Sequence, residues 1–86
     1  MWVLSDDGRY LINLNQVVAV EKRFESNQTV VCLYARTDPT NETSFKLMSR
    51  NNSTRAEAEV ENQMRDIMDG LRQGAVLIEI EKDPTA

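Results

Sequence analysis

Histidine is absent from this 86-residue chain, and cysteine occurs once, at Cys32. Without imidazole or a second thiol there is no zinc ligand set, no Ser-His-Asp or Cys-His nucleophile, and no disulfide. The only glycines are Gly8, Gly70 and Gly74, too scattered for a loop that cradles phosphate. Aromatic residues are few, with Trp2, Tyr10, Phe24, Tyr34 and Phe45 the complete set. No apolar run approaches the ~20 residues a membrane helix needs, so no membrane partner is expected. The opening Met1-Trp2-Val3-Leu4 runs straight into Asp6-Asp7, with neither the basic nor the apolar stretch of a secretory signal. A cytoplasmic protein is the expectation. The glycosylation sequons at Asn27, Asn41, Asn51 and Asn52 are then coincidental.

What remains is ordinary for a folded chain: 41 % of residues are apolar and 28 % charged, too apolar for disorder. Eighty-six residues make a single domain. A core this small supplies only ~3–5 kcal/mol of net stability, which makes oligomerisation an attractive support. The net charge of −4 is unevenly spread. Residues 1–21 set Arg9 against Asp6, Asp7 and Glu21, a balance of −2. Residues 22–55 set Lys22, Arg23, Arg36, Lys46, Arg50 and Arg55 against Glu25, Asp38 and Glu42, a balance of +3. Residues 56–86 set Arg65, Arg72 and Lys82 against eight carboxylates, a balance of −5. An acidic chain is a poor ligand for duplex nucleic acid, where affinity rests on neutralising many phosphates. A small anion needs only two or three arginines.

The pattern predicts an α+β fold: an antiparallel β-meander of about five strands over residues 1–48, packed on one α-helix over 54–73. A C-terminal strand over 75–80 and a tail over 81–86 follow. Residues 1–5 and 10–14 form a hairpin about Asp7-Gly8, where Asp-Gly supplies the positive φ of a tight turn. Strands at 16–24, 29–36 and 43–48 follow, separated by Ser26-Asn27-Gln28 and by a polar loop at 37–42. In the helix, Val60, Met64, Ile67, Met68 and Leu71 form one apolar stripe. Thr54 with Glu57 fits a capping box, and Gly74 is the natural C-cap. Gly70 marks fraying or a close approach.

Along 29–36 both alternating sets are apolar: Val30, Cys32 and Tyr34 on one face, and Val31, Leu33 and Ala35 on the other. A sheet with one wet face alternates apolar and polar. The helix covers one face. The other face, or a swapped C-terminal strand, is therefore read as an interface between subunits of a homo-oligomer. Cys32, inside this run, is a small buried hydrophobe in a reducing compartment.

The best candidate for chemistry is the Ser49-Arg50-Asn51-Asn52-Ser53-Thr54-Arg55 connection into the helix. Its unpaired N–H groups and the helix dipole favour an anion. Arg50, Arg55, Asn52, Ser53 and Thr54 would hold phosphate, Lys46 and Arg36 would add charge, and Tyr34 or Trp2 would stack on a base. The plainer reading makes the connection a cap and the aromatics core or interface anchors. Asp6-Asp7 is a turn rather than a cation site, and Glu57, Glu59 and Glu61, spaced two apart, do not all share one helix face. No cofactor and no enzymatic activity are expected. The competing reading is a protein-interaction or inhibitor module that docks a partner on the acidic helix face of Glu57, Glu61, Asp66 and Asp69.

Met1-Trp2, the Asp7-Gly8 turn, the Leu11-Ile12-Asn13 strand and a helix carrying Arg55, Ala56, Glu57, Met64, Ile67 and Leu71 have a counterpart. Together they resemble the small uncharacterised proteins common in Firmicutes and their phages. The resemblance spans most of the chain and implies a phage or mobile-element setting. Compact non-enzymatic proteins there bind a host protein or sequester a nucleotide immune signal. It carries over no site residue.

Overall fold

The computed structural model describes residues 1–40 and 43–83. The ends of the predicted 37–42 loop and 81–86 tail lie outside the described residues. In chain order the elements are β1 (Trp2–Leu4), β2 (Leu11–Asn13), a 3₁₀ turn (Leu14–Gln16) and β3 (Ala19–Glu25). Then come β4 (Val30–Arg36), β5 (Ser44–Asn51), α1 (Thr54–Gln73) and β6 (Leu77–Glu79). The α+β class, the antiparallel meander on one helix and the C-terminal strand are as the sequence predicts. The strands divide into two sheets. The meander proper is β3-β4-β5, while the first hairpin joins β6 in the order β2-β1-β6. The β1–β6 pairing is parallel, because the chain crosses over through α1 before returning.

Local chemistry explains the boundaries. Gly8 takes φ 73° in the first hairpin turn, as Asp-Gly predicts. Asn13 caps the 3₁₀ turn by accepting from the Asn15 N–H, which delays the third strand to Ala19 rather than Gln16. Ser26, Asn27 and Gln28 all take positive φ, so the tight turn to β4 holds three side-chain-bearing residues in the left-handed region. Strand β5 reaches Asn51 and not Met48: Ser49 pairs with Cys32, Arg50 with Val31, and Asn51 with Val30. Its ladder shifts at Leu33/Tyr34, which face Met48 and Lys46 and leave Leu47 as the extra residue. That bulge lets Leu47 and Met48, neighbours in sequence, both point into the core.

Helix α1 has the predicted bounds but a different cap. Ser53 Oγ accepts from the Ala56 N–H, while Thr54 is the first helical residue and exposed. Ser53 has the extended backbone an N-cap needs, with ψ 168°. Gly74 closes the helix in the left-handed region, with φ 72°. At Gly70 the helix meets β6 closely: a Cβ there would lie 2.4 Å from Ile78 Cδ1.

The core lies between α1 and the inner faces of both sheets. Val3 and Ile12 enter from the small sheet, Val31, Leu33, Leu47 and Met48 from the large one, and Val60 and Ile67 from the helix. The Asp6 N–H donates to the Leu47 carbonyl, and Tyr10 packs on Phe45 at 5.3 Å, so the first hairpin leans on β5.

The second face of β3-β4-β5 is not purely apolar. Opposite Cys32 and Tyr34 the neighbouring strands place Glu21, Arg23, Lys46 and Ser49, which pair above the apolar positions of β4. The chain's own charged side chains lie over that face. The C-terminal strand pairs with its own β1.

The cap assignment is testable by denaturant unfolding. Ser53→Ala should cost about 1 kcal/mol through the lost N-cap. Thr54→Ala, on an exposed first-turn position, should stay within about 0.5 kcal/mol.

Candidate functional site

The residues proposed to hold an anion fall into three places. Arg50, Asn52, Ser53, Thr54 and Arg55 lie at the entry to α1. Tyr34, Arg36 and Lys46 project from the outer face of the large sheet, on the side away from the helix. Trp2 stands on the outer face of the small sheet, 42 % exposed. The fold does not bring them together around one ligand.

At the helix entry there is a depression of about 400 Å³ lined by Arg50, Asn51, Asn52, Ser53, Arg55, Ala56, Glu59 and Asp83. Its donors are largely engaged. Arg50 is only 5 % exposed. Its guanidinium donates to Asp6 Oδ2 at 2.9 Å, to Glu59 Oε2 at 3.3 Å, and to the carbonyls of Ser49 at 2.9 Å and Glu81 at 2.6 Å. Arg50 points inward because it shares a strand face with Met48, towards α1, whereas Ser49 faces out. The Asn52 amide donates to the Gln28 carbonyl at 2.8 Å, and its N–H donates to the Thr29 carbonyl, clasping the β3–β4 turn. Ser53 is spent on the cap. Arg55 is 84 % exposed and pairs with Glu59 at 3.2 Å. Two carboxylates, Glu59 and Asp83, share the lining and oppose an incoming anion. The arrangement is a clamp more than a receptor.

The outer face of the large sheet is a continuous ion network. Arg23 and Arg36 both pair with Glu21, at 2.9 and 2.8 Å. Lys46 pairs with Glu25 at 2.9 Å, and the Tyr34 hydroxyl donates to the same carboxylate. The Arg23 guanidinium lies 4.4 Å over the Tyr34 ring. The Tyr34 hydroxyl, then Lys46, holds the Glu25 pKa down to about 2, against the upward push of burial. A carboxylate held low adds stability above its unfolded range, near 4.5, and that contribution fades as pH falls towards 2. Arg23 first and Arg36 next hold Glu21 low as well. Burial pushes both the Cys32 thiol and the Tyr34 phenol up, so neither is an activated nucleophile at neutral pH. Among the described residues, no buried polar side-chain atom lacks a partner, and no group of three acidic or thiol side chains is placed to hold a metal ion. None of their helices is long and apolar enough to cross a membrane.

The acidic helix face is also partly neutralised. Lys22 of β3 reaches Glu57 at 3.0 Å and Glu61 at 3.1 Å, leaving Asp66 and Asp69 as its exposed carboxylates further along. Asp69 lies 3.8 Å from Arg72.

A surface that sequence reasoning did not assemble is the outer face of the small sheet. The pairings Trp2–Leu77 and Leu4–Leu11 line up four apolar side chains across three strands. Leu11 is 56 % and Leu77 47 % exposed, while Val3 and Ile12 between them are buried. The signal was weak because strands of three residues, apolar at nearly every position, show no alternation. Only the parallel pairing with β6 brings Leu77 beside Trp2.

The clamp reading separates two arginines that look alike in sequence. Arg50→Ala strands Asp6 beside the core and frees the Glu81 carbonyl, and should cost about 3–5 kcal/mol, enough to unfold much of the population. Arg55→Ala should change stability by no more than about 0.5 kcal/mol. Circular-dichroism melting of both variants checks this.

No protein-family model matches this chain, and no curated protein or solved structure does either, so its functional reading rests on its own geometry.

Proposed function

We propose that the protein is a non-enzymatic interaction module that docks a protein partner on the outer face of β2-β1-β6. The observation that carries this reading is the apolar row of Leu11, Leu4, Trp2 and Leu77, of which Leu4 is half-buried and the other three are exposed, in a chain otherwise rich in paired charge. Tryptophan is among the residues most enriched in interface anchors, where a few buried side chains carry most of the affinity. The rim carries Glu79, which pairs with Leu4 across β6, and the exposed Asp7 of the turn after β1, while Asp6 is held by Arg50. The fitting partner is a protein with an apolar patch bordered by lysine and arginine. Paired ion networks and a thiol pushed up by burial support a non-catalytic role.

The depression beside Arg55 favours a second reading, a module for a small anion such as a nucleotide. Against it stands the saturation of Arg50 by two carboxylates and two carbonyls. An acidic-face partner is less well supported, since Lys22 occupies Glu57 and Glu61.

Heat-denaturing the purified protein and analysing the supernatant by mass spectrometry separates the two ligand classes. No stoichiometric anion should be released. A partner captured from lysate should bind less tightly by tenfold or more, on the order expected for a lost aromatic anchor, to the Trp2→Ser, Leu11→Ser variant. Its capture should weaken with salt. A stoichiometric nucleotide, or capture that the variant leaves undiminished, would contradict the proposal.

A further inference from the structure

The sheet β2-β1-β6 ends on β6, and its ladder fixes which way that strand's main chain points. The Trp2 N–H donates to the Val76 carbonyl, and the Ile80 N–H donates to the Leu4 carbonyl. Bonds of a parallel ladder recur at alternate residues, so Val76, Ile78 and Ile80 turn their peptide groups towards β1. The N–H and carbonyl groups of Leu77 and Glu79 point the other way, over the edge of the sheet. Among the described residues no strand follows there and no group is bonded to them. The Ile78 side chain lies against Gly70 of α1, which sends those of Leu77 and Glu79 to the outer face.

Open edges in proteins are guarded by charge, by bulges or by a covering segment. Strand β3 bears Glu21, Lys22, Arg23 and Glu25. On β5 the Asp6 N–H occupies the Leu47 carbonyl, at the bulge. Strand β2 gives way at Asn13 to the 3₁₀ turn. The edge of β6 is barer. Val76, just before it, is 78 % exposed, Leu77 ends the Trp2 row, and Glu79 is the one charge in the strand.

We propose that β6 takes an extended segment of the partner as a fourth strand, bonded through the Leu77 and Glu79 peptide groups. Strand addition rests on the docking role of the Trp2 face and specifies the shape of the partner that meets it. Alternate side chains of the added strand fall beside Leu77 and Glu79 on the outer face. An aliphatic residue beside Leu77 lengthens the Trp2 row, and a lysine or arginine beside Glu79 meets its charge. The segment recognised is therefore extended, with an aliphatic and a basic residue two apart. A helix laid on the face would leave the edge groups of Leu77 and Glu79 unused.

Amide chemical shifts of the full chain, titrated with the peptide acetyl-Thr-Lys-Thr-Leu-Thr-Lys-Thr-amide, test it. Lysine on both sides of leucine lets either strand direction set a cation beside Glu79. The Leu77 and Glu79 amides should shift and saturate below about 5 mM peptide. Glu79→Pro removes an outward N–H at an edge position that tolerates proline, and should weaken binding about tenfold or more. Glu79→Ala keeps that N–H and should weaken it less. Where the proline variant does not fold, two N-methylated peptides take its place, one methylated at leucine and both lysines, the other at the threonines. An added strand bonds through alternate residues, so one of the two should lose binding and the other keep it. No saturable shift would overturn the proposal. So would binding that proline weakens no more than alanine does, or N-methylated peptides that bind alike. Lysate capture still lost in the Trp2→Ser, Leu11→Ser variant would then leave the docking face standing without the added strand.

Discussion

The guanidinium of Arg50 sits at the meeting point of four segments that are distant in sequence. It takes Asp6 from the turn after β1, Glu59 from α1, the Glu81 carbonyl after β6 and its own strand's Ser49 carbonyl. A buried charge is tolerable only when it is paired and its donors are filled. That requirement constrains the rest of the molecule. The first hairpin must lean on β5, the helix must present its first two turns to the strand's end, and the chain after β6 must return past both. Gln63, also buried, reinforces the return by accepting from the Glu81 N–H. In so small a domain, a core of aliphatic side chains leaves little margin, and a polar clamp specifies which segments meet.

The same bonding accounts for the surface. Arginines at the helix entry would suit an anion if their donors were open. The fold instead turns one inward and leaves the other at the rim with Glu59. On the opposite side of the sheet, Glu21 and Glu25 gather Arg23, Arg36, Lys46 and Tyr34 into a layer that shields Cys32 completely from solvent. With much of the charge engaged in these networks, two exposed apolar features stand out. They are the Trp2 row on the small sheet and a groove beside Met68 and Leu71 of α1.

Much of the fold is legible in the residues, and what is not legible has physical causes. The stripe from Val60 to Leu71 and the left-handed Gly74 mark α1 and its C-terminal end, though not its cap, which is Ser53. Gly8 marks the first turn as plainly. Three features depend on partners far along the chain. Ser49-Arg50-Asn51 looks like a loop because nothing local shows that Asp6, 44 residues earlier, will neutralise Arg50. Adjacent Leu47 and Met48 defeat a period-two reading because a bulge turns both inward. Val30, Cys32 and Tyr34 look like an apolar face because one strand does not reveal the glutamates and cations that its neighbours lay across it. For the site, the residue types were legible but their grouping was not. Arg50, Tyr34 and Trp2 belong to three different surfaces.

Arg50 welds hairpin, sheet, helix and C-terminal segment into one cooperative unit. Native-state hydrogen exchange tests it most directly, because opening free energies report which parts separate on their own. The Ile80 N–H, bonded to the Leu4 carbonyl, and the Asp6 N–H, bonded to the Leu47 carbonyl, should exchange only through the same global opening as the β4 amides. Exchange of Ile80 or Asp6 through a much cheaper local opening, with β4 still protected, would contradict it.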